Sequence, residues 1–197
     1  MVKLIKSQKT FKRVVVFIDH SNVLHGLIKL RKSDLNWSRW YNPFFLAQKL
    51  VGNRNLISVY FYCAPPPSYL LHRTKIDKGK YWKQISYYKA IKKLPLVNLK
   101  LARTVGNRKN VHEKNLDTQL SVGMPSLAAK NKYDTAILVA NDGDYADTME
   151  ETKSLGKKVE LAYFKNKCSM GARKICDVPR RLRISYFNEL IFKVNCN

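Results

Sequence analysis

The sequence predicts an α/β fold: a parallel, doubly wound sheet of about five strands with helices on both faces. Two observations predict it. The run VVVFI at residues 14–18 is short and β-branched, the composition of a strand buried on both faces of a parallel sheet. Further apolar runs at 56–63, 96–102, 135–140 and 157–164 then alternate with helical stretches. At 197 residues the chain is long enough to bury one such core.

Residues 1–12 read as a basic arm and 13–197 as a single domain. The first strand stops at DHSN, a turn-and-cap cluster, and a helix runs through VLHGLIKLR. Pro43 opens a second helix, PFFLAQKLVG, which Gly52 closes. LISVYFYC is the second strand, and APPPS breaks it because proline cannot continue a ladder. A helix rich in Tyr and Lys covers 80–93, and LVNLKLA is the third strand. RTVGNRKNVHEKN reads as a basic loop. A helix over 116–130 follows, with a kink expected at Gly123 and Pro125. TAILVA is the fourth strand, DYADTMEETKSLG a helix with a glycine stop, and KKVELAYF the fifth strand. SYFNELIFKV closes the chain as a helix, and no internal repeat or linker divides it.

Composition narrows the function. Lys and Arg number 37 against 14 Asp and Glu, a net charge of +23, and they are joined by 11 Tyr, 8 Phe and 3 Trp. Spread cations displace counterions from phosphates, so the expected partner is a polyanion, with nucleic acid foremost. Hydrophobic residues reach 45%, which excludes wholesale disorder. No apolar run approaches the roughly 18 residues of a membrane span, and the N-terminus lacks a cleavage site for secretion. Cys63, Cys168, Cys176 and Cys196 show no CxxC spacing and read as reduced thiols of a cytoplasmic protein.

Against that basic background the acids gather in one place. Asp142, Asp144, Asp147 and Glu150 fall within nine residues, directly after an apolar strand. Ligands of a parallel sheet bind outside the carboxyl ends of its strands. Asp19 follows the first strand, Asp142 and Asp144 follow the fourth, and Asp117 opens the preceding helix. If the two strands are neighbours, these carboxylates converge. Carboxylates a few ångströms apart must share protons or bind a cation, and all-oxygen ligands suit Mg²⁺ or Mn²⁺. Such an ion serves phosphodiester hydrolysis.

Plainer readings exist for each residue. Asp142 or Asp144 alone is a helix cap or a turn residue, and Asp147, Glu150 and Glu151 are acids near a helix N-terminus. Asn22 either supports the site or caps the first helix. His20 is expected at the surface. Tyr81, Trp82, Tyr87 and Tyr88 are expected to be half core and half surface. Replacing Asp19 by Asn is expected to leave the fold intact, since it removes like-charge repulsion.

Taken together, FIDHSN, YFYCAPPP, HEKNLDTQLSVGM and LVANDGDYADTMEETKSLGKKVELAYF resemble the NYN domain (LabA-like) family of PIN-like nucleases. The matching residues are Asp19, Ser21 and Asn22, then Lys114 and Asp117, then Asp142 and Asp144. The resemblance implies a PIN-like sheet and metal-dependent, endonucleolytic cleavage of RNA, with single-stranded RNA the expected partner. It implies that Asp19, Asp117, Asp142 and Asp144 hold Mg²⁺ or Mn²⁺ and that Asn22 supports them. Ser21 and the basic stretch carrying Arg103, Arg108, Lys109 and Lys114 are the candidates for contacting the nucleic acid. A homodimer is left open. The chain departs from the family pattern at Gly123, where many relatives carry a further Asp. Asn141 stands in place of Gly, and Tyr145 in place of Phe. The Gly123 departure motivates an alternative, a catalytically weak RNA-binding adaptor on the same fold. A haloacid dehalogenase phosphatase would need an acid where Ser21 stands, and a Toprim domain a Glu where Asp19 stands, so both fall behind.

Overall fold

The computed structural model describes residues 12–30, 40–107, 110–165 and 170–187. The first strand, β1 (Arg13–Asp19), is a β-branched run buried on both faces. It passes directly into helix α1 (His20–Leu30), because the Asp19 carboxylate accepts the Asn22 backbone N–H at 2.9 Å and so caps the first turn. Helix α2 (Pro43–Val51) has the expected proline start. The Asn42 side chain accepts from the N–H groups of Phe44 and Phe45, and Gly52 ends the helix at a φ of 61°. Strand β2 (Asn55–Cys63) follows.

Helix α3 (Lys75–Ile91) begins five residues earlier than the sequence suggests. The reason is a cap: Thr74 Oγ1 accepts the Asp77 N–H at 3.2 Å and donates to Asp77 Oδ2 at 3.1 Å. After β3 (Val97–Leu101), the stretch read as a basic loop is an antiparallel hairpin, β4 (Arg103–Asn107) and β5 (Asn110–Lys114), with Arg103 paired to Lys114 at its base. Asn115, at a left-handed φ of 69°, turns the chain into α4 (Leu116–Ala129). Gly123 and Pro125 lie within that helix, which remains one element.

Strand β6 (Thr135–Val139), a 3₁₀ turn (Gly143–Tyr145), α5 (Ala146–Ser154) and β7 (Lys158–Tyr163) complete the expected series. Two further elements follow, α6 (Met170–Ile175) and β8 (Val178–Arg181). The sheet therefore has six strands rather than five. The last is only four residues long and contains Pro179, which an edge strand tolerates. The expected N-terminal arm, apart from Lys12, and the expected C-terminal helix beyond Phe187 lie outside the described residues.

All neighbouring pairs in the sheet are parallel, and the order is β3-β2-β1-β6-β7-β8. The chain thus reverses direction across the sheet between β1 and β6, which lie side by side with Ile18 opposite Val139. Alternation splits the core. Val14, Val16 and Ile18 pack with residues of α1, α2 and α3 on one face. Val15 and Phe17 pack with residues of α4, α5 and α6 on the other. Asp19 continues the second series, which aims it toward the face that carries α4. His20 is the correction here: it is 3% exposed and packs among the rings of Tyr41, Phe61, Tyr87 and Tyr88. A one-residue step at the strand–helix junction turns it into the first face instead of toward solvent. Tyr87 and Tyr88 are core, Tyr81 is half-buried and Trp82 is exposed.

One packing contact carries a prediction. A Cβ on Gly26 would lie 2.6 Å from Phe164 Cγ and closer still to the neighbouring ring carbons. Phe164 is itself buried and stacked on Phe187, so it has little room to retreat. Gly26→Ala is expected to cost about 1–3 kcal/mol in overpacking, against a helix-propensity gain of about 1 kcal/mol. The net loss is read from the urea midpoint; a stabilised variant would mean that Phe164 moves freely.

Candidate active site at the carboxyl edge of the sheet

The point between β1 and β6 where strand order reverses is where open parallel sheets place their ligands. Asp19 ends β1 there, 1% exposed. Its Oδ1 accepts the Asn22 N–H at 2.9 Å, and its Oδ2 accepts Asn22 Nδ2 at 2.6 Å. Tyr145 Oη lies 2.8 Å from that same Oδ2 and 2.8 Å from Asp117 Oδ1. Asp117 stands in the first turn of α4, so one hydroxyl draws together acids from two elements.

A phenol has a single proton to donate. Tyr145 therefore donates to one carboxylate at a time. Burial is the main force raising the Asp19 pKa, and the nearby charge of Asp117 adds to it. The hydrogen bonds from Asn22 and Tyr145 oppose the rise without cancelling it. Burial, followed by the charge of Asp19 and the contacts with Asp117, pushes the Tyr145 phenol far upward and keeps it a neutral donor.

Asp142 and Asp144 follow β6 on the same edge. Asp142 Oδ1 accepts the Asp144 N–H at 3.1 Å and caps the 3₁₀ turn that delivers Tyr145. Asp142 is half-buried and Asp144 exposed. The cap at Asp142 engages only Oδ1, whereas both oxygens of Asp19 already accept hydrogen bonds. Among the described residues, no three His, Cys, Asp or Glu side chains are gathered into a metal-holding group. The structure brings Asp19 and Asp117 to one hydroxyl and places Asp142 and Asp144 on the neighbouring strand's exit. All four are oxygen donors, the ligand type that hard cations prefer.

Two asparagines brace this edge. Asn22 Oδ1 accepts the Asn141 N–H at 3.2 Å, tying the end of β1 to the end of β6. Asn141 Oδ1 accepts the Phe164 N–H at 2.7 Å, extending the tie to β7. The sequence offered Asn22 as support, whereas the parts played by Asn141 and Tyr145 were visible only as departures from a pattern. The Gly123 departure also acquires a cause. A Cβ there would lie 2.7 Å from the Tyr62 hydroxyl, so a side chain at 123 would have to displace that hydroxyl. Ser21 is half-buried in the first turn of α1, and Arg103 is exposed at the base of the hairpin. Arg108, Lys109 and the side chain of Lys114 lie outside the described residues.

Sheet order, helix placement and acid-lined edge together define a PIN-like α/β domain. The chain belongs to the NYN domain family, whose profile matches residues 13–182. A protein of unknown function from Vibrio parahaemolyticus has a similar crystal structure, with a TM-score of 0.64 at 16% identity over 92% of this chain and 98% of that one. At that identity the likeness speaks for the fold. A chain from Parabacteroides merdae described as an oxidoreductase aligns with a TM-score of only 0.31 at 12% identity, over 84% of this chain and 28% of that one, and carries no argument. No curated protein matches the chain. Among the described residues, no helix is long and apolar enough to cross a membrane.

Proposed function

We propose that the protein is a metal-dependent ribonuclease that hydrolyses phosphodiester bonds of single-stranded RNA endonucleolytically. The observation that carries the reading is the pair Asp19 and Asp117, held at one hydroxyl beside the exits of β1 and β6, in a chain of net charge +23. The family points to the nuclease class, and the domain is taken as residues 13–197 with 1–12 as a basic arm.

In this reading Asp19, Asp117, Asp142 and Asp144 would hold Mg²⁺ or Mn²⁺. The ion supplies Lewis-acid polarisation of the scissile phosphate and charge neutralisation as the bond breaks. Asn22 holds the Asp19 carboxylate in place by its two hydrogen bonds. Tyr145 keeps Asp19 and Asp117 in register, and its raised pKa keeps it protonated while it does so. Ser21, two residues after Asp19, and the basic residues Arg103, Arg108, Lys109 and Lys114 are the proposed contacts to the RNA backbone. A cytoplasmic setting fits the free thiols of Cys63 and Cys176.

The second reading, a catalytically weak RNA-binding adaptor, draws on Gly123, beside which the Tyr62 hydroxyl leaves no room for a side chain without moving. Incubation of an end-labelled single-stranded RNA with Mn²⁺, Mg²⁺ or EDTA separates the two. The ribonuclease yields internal cuts that EDTA abolishes; an adaptor binds equally with and without metal and leaves the RNA whole. Both readings predict affinity that falls steeply with salt. For about six phosphates on a single strand the loss is roughly 10²–10³-fold between about 50 and 200 mM salt. A flat profile would remove RNA as the partner.

A further inference from the structure

One strand away from the acids lies a cavity of about 260 Å³ that the proposed chemistry does not use. It opens on the same carboxyl edge, between the second half of α1, the second residue after β6, and the segments leaving β7 and β8. Its lining has two characters. Lys29, Lys165, Arg181 and Arg183 bring four cations to it, and all four are exposed. None pairs with an acid among the described residues, although Arg13, Arg54, Arg73, Lys80, Lys153 and Arg180 all do. Leu30, Phe164, Leu182 and Ile184 give the remainder an apolar wall.

The decisive atom is Asn141 Nδ2. Asn141 is 4% exposed, it lines the cavity, and its Nδ2 finds no hydrogen-bond partner among the described residues. Its orientation is fixed, because Oδ1 accepts the Phe164 N–H at 2.7 Å and a flipped amide would set donor against donor. A buried amide donor left unpaired is costly, and repelling cations add to that cost. A flat apolar group with an acceptor on its edge, joined to an anion, would relieve both at once and cover the apolar wall.

We propose that this cavity is a subsite for one unpaired nucleotide of the RNA, its base against Phe164 and Leu182 with an acceptor on Asn141 Nδ2, and its phosphate among Lys165, Arg181 and Arg183. The inference rests on RNA as the substrate. The volume, below the roughly 300–1,000 Å³ of most ligand pockets, sets the occupant at a single nucleotide. A paired base cannot enter, so the subsite selects single strands. It also touches the acid site: the Asn141 N–H binds Asn22, and Asn22 binds Asp19, so a nucleotide seated here positions the chain relative to the carboxylates.

The test titrates the full chain with uridine 5′-monophosphate, whose base carries two carbonyl acceptors, and with inorganic phosphate as control, by calorimetry. The mononucleotide is expected to bind at least about tenfold more tightly than phosphate. Asn141→Asp retains the acceptor for the Phe164 N–H but removes the inward donor and adds a negative charge; it is expected to lose about tenfold or more. Arg183→Glu, at an exposed position, should weaken binding without touching the core. Equal affinity for phosphate, or unchanged affinity in both variants, overturns the subsite. Absence of mononucleotide binding in a preparation that binds and cuts RNA also overturns it and leaves the ribonuclease standing. Mononucleotide binding that the variants abolish, in a protein that never cuts RNA, upholds the subsite while the ribonuclease reading falls.

Discussion

Asp142→Asn is expected to abolish metal-dependent RNA cleavage while leaving RNA affinity within about twofold and the melting temperature unchanged. Structurally, Asp142 accepts one N–H, that of Asp144, and an asparagine carbonyl accepts it equally well. Chemically, the variant replaces an anionic oxygen ligand by an amide. Loss of a partner one shell out from a metal already costs about 10–100-fold, so loss of a ligand is expected to cost at least about 100-fold. Single-turnover cleavage with Mn²⁺, beside a binding assay and a thermal melt, measures all three. A variant that cuts as fast as wild type would exclude Asp142 from the centre. Asp19→Asn is the less clean probe, and the sequence-based expectation that it is harmless does not survive the geometry. Asp19 Oδ2 accepts from Asn22 Nδ2 at 2.6 Å in a site 1% exposed, and an amide nitrogen there would face another donor.

The two acid-bearing strands were legible because β-branched runs are distinctive, and the turn residues after them name themselves. Their adjacency was not legible: β1 and β6 are separated by more than a hundred residues, and sheet order is a property of the whole chain. The hairpin from Arg103 to Lys114 escaped because its sequence is rich in charged and polar residues, and β8 because four residues with a proline make a faint signal. The candidate site was half readable. Asp19, Asp117, Asp142 and Asp144 could be named, but the device that joins Asp19 to Asp117 is a tyrosine hydroxyl whose position depends on a 3₁₀ turn. The asparagine ties follow the same rule. Asn141 in the sequence is a small polar residue after a strand; in the fold, its backbone, its carbonyl and its amide each address a different neighbour.

Glu160→Ala is expected to destabilise the protein by about 3–5 kcal/mol, the largest single effect on stability that the fold predicts. Glu160 is 1% exposed, in the middle of β7. Arg54 grips it with two bonds, Nη1 to Oε1 at 2.7 Å and Nη2 to Oε2 at 3.1 Å, and Arg180 adds Nε to Oε2 at 2.8 Å. Arg54 also donates to the carbonyls of Leu50 and Val51, so this carboxylate links the end of α2, strand β7 and strand β8. Alanine would leave two guanidinium groups beside a void with no anion between them. Glu160→Gln retains an acceptor and should cost less. The pH dependence follows from the charges. Burial pushes the Glu160 carboxyl upward, but the hydrogen bonds and charges of Arg54 and Arg180 outweigh it and hold the pKa below its ordinary value of 4.5. A carboxylate depressed in the folded state contributes stability that is complete above the unfolded value and is lost as pH falls through the folded one. The gap between wild type and Glu160→Gln in urea unfolding should therefore stay constant from pH 7 down to about 5 and close below about 4.5. A loss under about 1 kcal/mol for Glu160→Ala would place the cluster with solvated surface pairs. Its two arginines would then be free to turn outward, and the joint between α2, β7 and β8 would rest on apolar packing alone.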